Sequence, residues 1–197
     1  VVGTDSALEV SWVEPHNEGS RILSYTVFVA TGGSGQSTQY PVSAPKTYLR
    51  IPGLQNGTDY TVYVQAQNKA DTPSPMSLGT TMHPHRAPDQ PTSVDAYSVD
   101  SGLSLSKAKV KVTWERHDHG GAGWGETIVS VGGSEVRVPA EAQSVVIDGV
   151  DTDTSVPVTV QLTNSDRDAS LVTTTHVAVA TVPLPIDTPT LQGNGTP

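Results

Sequence analysis

The chain has 197 residues, a net charge of −9 and no cysteine. That length suits two small domains as well as one large one, and the acidity excludes nucleic acid and anionic lipid as main partners, since both need a basic surface. The absence of cysteine excludes a disulfide scaffold and thiol chemistry, and no stretch approaches the roughly 20 apolar residues of a membrane span, so no membrane insertion is expected.

The first element is SALEVSW, residues 6–12, in which Leu8, Val10 and Trp12 share one face and Ala7, Glu9 and Ser11 the other. Period two with one wet face is the pattern of an antiparallel strand over a single core. ILSYTVFV, 22–29, carries Ile22, Tyr25, Val27 and Val29. TGGSGQST, 31–38, has the glycines of a phosphate loop but no lysine and no helical pattern after it, so it reads as a strand connection. GLQNGTDY, 53–60, reads as a corner, and TVYVQAQN, 61–68, as the strand it feeds. Asn56-Gly57 is a turn pair in its own right; Asn56 and Asn194 also head Asn-Gly-Thr sequons. In TMHPHRAPDQPTSV, 81–94, three prolines stiffen a junction and deny it ladder hydrogen bonds.

Beyond the junction, KAKVKVTW, 107–114, alternates again, with Ala108, Val110, Val112 and Trp114 inward and Lys107, Lys109 and Lys111 outward. HGGAGWG, 119–125, has the glycines of an esterase oxyanion loop, yet no G-x-S-x-G nucleophile occurs in the chain. GVDTDTSVPVTVQLTN, 149–164, repeats the earlier corner and strand without a gap, with Val156 where the first copy has Tyr60. Trp12 falls on Trp114 at an offset of 102, and Gly53 on Gly149 at an offset of 96, so the second unit is about six residues shorter between these points. No segment sustains a 3.6-residue period. Short strands with glycine and proline breaks predict an all-β chain of two sandwiches.

These residues resemble the fibronectin type III family: Trp12, then Ile22, Tyr25, Val27 and Val29, the LQNGTDY corner with Leu54 and Tyr60, and TVYVQAQN. The resemblance implies two consecutive seven-stranded antiparallel immunoglobulin-like β-sandwiches. The expected boundaries are a first module over 1–82 with its first strand truncated, a linker over 83–90, a divergent second module over 91–183, and a Pro/Thr/Gly-rich linker over 184–197. It also implies that the Tyr60 hydroxyl bonds back to the corner backbone. Val156 cannot do so, which makes the second module the one expected to be less stable. The expected setting is extracellular or at the cell surface, within a longer and bacterial protein.

Candidate chemistry gathers at the junction and two loops. His83 and His85 with His117, Asp118 and His119 could be drawn into a zinc site, but His-x-His lacks the force of paired CxxC motifs, and no metal or cofactor is expected. Asp148, Asp151 and Asp153 crowd one corner without EF-hand spacing. Trp124 stands where the first unit has Ile22, which favours a core position over a sugar platform. The Arg-Gly-Asp of some family members is absent from NSDRDAS, 164–170, but a charged loop tip remains. No catalytic constellation appears, so the chain is expected not to be an enzyme. The expected function is protein binding in adhesion or host interaction, with a host protein such as a cytokine or matrix protein as the partner class. The candidate contacts are His83, His85 and Arg86, then Arg116, His117, Asp118 and His119, then Asp166, Arg167 and Asp168. A structural spacer and an accessory carbohydrate module are the rival readings.

Overall fold

The alternating runs become strands. In this computed structural model, residues 1–17, 19–32, 36–70, 73–99, 106–152 and 154–180 are described; the expected C-terminal linker, Asp153 and Asn194 lie outside them. The first half holds β1 (Val2–Thr4), β2 (Ala7–Ser11), β3 (Ile22–Thr31), β4 (Ser37–Ser43), β5 (Tyr48–Pro52), β6 (Tyr60–Asn68) and β7 (Thr80–Met82). The second holds β8 (Thr92–Val99), β9 (Lys107–Glu115), β10 (Trp124–Val131), β11 (Ser134–Val138), β12 (Ser144–Asp151), β13 (Thr154–Asn164) and β14 (Thr173–Val179).

Each half is a sandwich. A three-stranded sheet, β1-β2-β5, faces a four-stranded one, β4-β3-β6-β7; the second half repeats both orders as β8-β9-β12 and β11-β10-β13-β14. All pairings are antiparallel, as short connections demand. Register follows the repeat. Tyr25, Val27 and Val29 pair with Ala66, Val64 and Val62, and Thr127, Val129 and Val131 pair with Leu162, Val160 and Val158. Gly53 and Gly149 sit at matching φ values of 78° and 76°, a left-handed conformation that glycine adopts without a Cβ penalty.

The two cores are separate. One gathers Leu8, Val10, Tyr25, Val27, Ile51 and Val62 with Trp12 against it; the other gathers Val110, Val112, Trp114, Val129, Val160 and Leu162. Each fully buried Val, Leu or Ile contributes about 1.5–3 kcal/mol over its exposed state, so each sandwich has its own reason to fold. Trp124 pairs with Asn164 as Ile22 pairs with Asn68, and it packs on the edge of the second core. Its ring meets the Arg116 guanidinium at 4.9 Å and the edge of His119 at 5.7 Å.

The first strands differ. β1 reaches to Thr4, two residues beyond the opening Val-Val, and covers β2 only from Ala7 to Glu9. β8 covers β9 along nearly its whole length, from Val99 on Lys109 to Thr92 on Glu115. The acidic corner and the lysine row answer each other across strands: Asp151 lies 2.6 Å from Lys107 and Asp148 3.3 Å from Lys109. Such exposed pairs contribute about 0–1 kcal/mol each.

Candidate functional site at the module junction

The linker between β7 and β8 is laid onto both sandwiches. Pro84, Pro88 and Pro91 are buried, and the linker bonds to the modules through its carbonyls and the N–H groups of Arg86 and Asp89, none of which proline removes. On the first module, the Gly57 N–H donates to the Pro84 carbonyl at 2.9 Å. On the second, the Arg86 N–H donates to Gly120 and the Asp89 N–H to Asp118, at 3.0 and 2.9 Å. Gln90 and Thr173 close the far end, donating to Val172 and Pro91.

The glycine run after β9 takes its shape from this contact. Gly120, Gly121 and Gly123 have φ of 77°, 96° and 78°. A Cβ on Gly120 would overlap the Arg86 carbonyl, and one on Gly121 would lie 2.6 Å from the Gly57 nitrogen. The modules therefore meet backbone to backbone, Gly57 against Gly121. Side chains of the same loop hold it. Asp118 accepts the Gly120 N–H at 2.7 Å, and His119 Nδ1 accepts the N–H groups of both Gly121 and Gly123 at 3.1 Å. His119 thus carries its proton on Nε2. Arg86 bridges Asp89 and Asp118, both at 2.9 Å.

Asn164, at the end of β13, is 2% exposed. Its amide nitrogen donates to the Arg86 carbonyl at 2.9 Å and to Asp168 at 3.0 Å, while its oxygen accepts the Asp168 N–H at 2.8 Å. A buried amide so fully engaged fixes both the linker and the turn that follows β13. On that turn, Asp166 lies 2.9 Å from His83 Nε2, and Asp168 lies 2.7 Å from His85 Nδ1. His83 Nδ1 faces Asp59 of the first module at 3.3 Å. Burial lowers the His83 pKa, but hydrogen bonds and charge from Asp166 and Asp59 outweigh it, and the net shift is upward. Burial likewise raises Asp168, and the bonds from Asn164 and His85 outweigh it, leaving that carboxyl below its usual range.

Arg167, between these two carboxylates, is different. It is exposed and has a φ of 71°; its backbone N–H donates to the Asn164 carbonyl at 3.0 Å, while its side chain makes no hydrogen bond or ion pair among the described residues. A cleft of about 650 Å³ opens beside it, lined by Glu126, Ile128, Arg137 and Thr163 among others. Arg137 is already paired with Glu135 at 3.1 Å and Glu126 at 3.7 Å.

The structure thus brings together His83, His85, Arg86, Asp118, His119, Asp166 and Asp168. Arg116 turns away to donate to the Ala140 carbonyl, and His117 bonds Thr92 at 2.6 Å. The four imidazoles do not converge, and among the described residues no group of three or more His, Cys, Asp or Glu is arranged to hold a metal ion.

One feature was missed by sequence reasoning although the 96-residue offset pointed to it. Ser74 accepts the Ala66 N–H at 3.0 Å, and Ser170 accepts the Leu162 N–H at 3.0 Å. Gln65 and Gln161 donate to the carbonyls of these same serines, each at 2.8 Å. The segment before each last strand is pinned by this serine hydroxyl where regular pairing is interrupted, and in the first module Ser77 adds a second, accepting the Val64 N–H at 3.0 Å.

The sequence model described as Fibronectin type III domain matches residues 1–80. The chain is 33% identical over 72 residues to the cell adhesion molecule DSCAML1 of human, mouse and chicken, an alignment covering 36% of this chain and 4% of each relative. It thus spans a small fraction of those proteins. Among solved structures it is similar to the chicken CNTN1 FN1-FN3 domains, at 16% identity and a TM-score of 0.49, covering 90% of this chain and 64% of that one. Residues 1–80 thus match the fibronectin type III family, and the second sandwich repeats the strand orders of the first, so the chain is a tandem pair of modules of this one architecture.

Proposed function

We propose that the pair is a non-enzymatic protein-binding unit of an extracellular surface protein, acting in adhesion, with the Arg167 tip as a principal contact. One observation carries this reading. Asp166 and Asp168 are spent on the linker histidines, while Arg167 between them stands unpaired in a left-handed conformation that a side chain adopts at a cost. Strain kept at an exposed charged tip on a rigid support is the arrangement of a contact loop. Arginine suits a carboxylate on a partner, which it can meet bidentately. The relatives are cell adhesion molecules by name, which supports the same class of function. A bacterial surface protein meeting a host cytokine or matrix protein is the finer form of this reading, supported by the cysteine-free composition.

The test is surface plasmon resonance of the pair against a panel of matrix proteins and cytokines. Binding that Arg167→Glu weakens at least tenfold supports the tip. Binding untouched by that reversal removes it. A structural spacer is the second reading, favoured by a linker bonded to both modules; it predicts no binding anywhere on the panel.

A further inference from the structure

We propose that the junction is an acid-locked clasp, in which His83, held between Asp59 of the first module and Asp166 of the second, couples the relative placement of the modules to pH near neutrality. The clasp stands whether or not the Arg167 tip meets a protein. His83 presents both ring nitrogens to carboxylate oxygens, Nδ1 to Asp59 at 3.3 Å and Nε2 to Asp166 at 2.9 Å. A neutral imidazole has one N–H and one lone pair, so it can donate to only one of them. The other contact then sets a lone pair against a carboxylate. Only the imidazolium donates to both and joins the modules.

The surroundings reinforce this. The His85 ring packs edge-on against His83 with centroids 5.8 Å apart, its Nδ1 2.7 Å from Asp168 and its Nε2 3.8 Å from Asp166. From β1, Gly3 brings only backbone, against the His83 carbonyl and the His85 ring. Arg86, the nearest linker cation, is spent on Asp89 and Asp118. With both imidazoles neutral, neither ring can donate to both of the carboxylates it faces, Asp59 and Asp166 at His83, Asp166 and Asp168 at His85. The His83 side chain keeps 30% of its surface exposed, so solvent protons reach it.

The direction of linkage follows. A histidine raised above its ordinary 6.5 contributes stability that is fully present below that value and lost as pH rises through its folded pKa. Asp168, lowered from 3.8, contributes above that value and loses its share as pH falls through its own folded pKa. The clasp is therefore tightest between about pH 4 and 6.5 and opens above it.

The experiment is NMR on the full chain, with residual dipolar couplings measured at about pH 5.5 and about pH 8.5. One alignment tensor shared by both modules at the lower pH, splitting into two at the higher, is the expected result. Two variants complete it. His83→Gln donates from only one group and leaves the two modules with the same coupling at both pH values. Asp59→Asn keeps both sandwiches intact and reduces the pH response. A single shared tensor at both pH values overturns the clasp, as does an undiminished pH response in His83→Gln. A response abolished by EDTA also overturns it, because the bridging charge would then be a metal ion rather than a proton.

Discussion

Tyr60 and Val156 occupy equivalent positions at the two corners, and their surroundings explain the difference. In the first module β5 stops at Pro52, and the Gln55 N–H, left outside any ladder, donates to the Tyr60 hydroxyl at 3.1 Å. In the second, β12 runs on to Asp151, the counterpart of Gln55, whose backbone pairs with Lys107. No orphan donor remains, so valine suffices. Tyr60→Phe should therefore lower the stability of the first module by about 0.5–1.5 kcal/mol, the net value of an ordinary hydrogen bond. Hydrogen exchange on the full chain, read separately in each core, checks this; unchanged protection of Val62 and Val64 would remove the corner bond from the account. The same comparison weakens the expectation that the second module is less stable, since its extended ladder replaces what the tyrosine supplied. Residues whose role is set by their own backbone were legible in the sequence: Gly53 and Gly149 by turn geometry, Trp12 and Trp114 by alternation. The role of Asp166 was not, because its partner His83 lies 83 residues away, across a module boundary that no local pattern describes.

Elements were legible for a related reason. A half-buried strand must alternate, and β9 does so without exception, with Ala108, Val110, Val112 and Trp114 all buried. Where the chain leaves the ladder, alternation fails as a guide, and side-chain chemistry takes over. Ser170 and Ser74 are the case in point. Each replaces a missing strand partner with a hydroxyl that accepts one N–H, and passes its own proton to the next carbonyl at 2.8 Å. Removing the hydroxyl leaves a backbone donor without its partner, and the cost depends on burial. The Leu162 N–H is buried, whereas the Ala66 N–H is only partly so. Ser170→Ala should thus cost about 1–3 kcal/mol, and Ser74→Ala less. Urea denaturation of the two variants measures the difference; equal costs would mean that water reaches both sites alike.

At the scale of the molecule, the question is whether the linker merely ties two sandwiches or sets them in one arrangement. The backbone approach of Gly57 to Gly121 separates these possibilities, because glycine is needed at Gly121 for two distinct reasons. Its φ of 96° disfavours any side chain, and a Cβ there would lie 2.7 Å from the Asn56 Cβ of the other module. Gly133, in the β10–β11 turn, has a similar φ of 90° but meets nothing within 4 Å. Both Gly121→Ala and Gly133→Ala should incur the left-handed penalty of about 1–2 kcal/mol. Only the first also forces the modules apart. Small-angle scattering at about pH 5.5 should then show a changed radius of gyration for Gly121→Ala alone, with the core amides of both sandwiches still protected. Matching scattering curves for the two variants would mean that the junction yields without resistance. The linker would then act as a tether, and the fixed presentation of Arg167 would lose its physical basis.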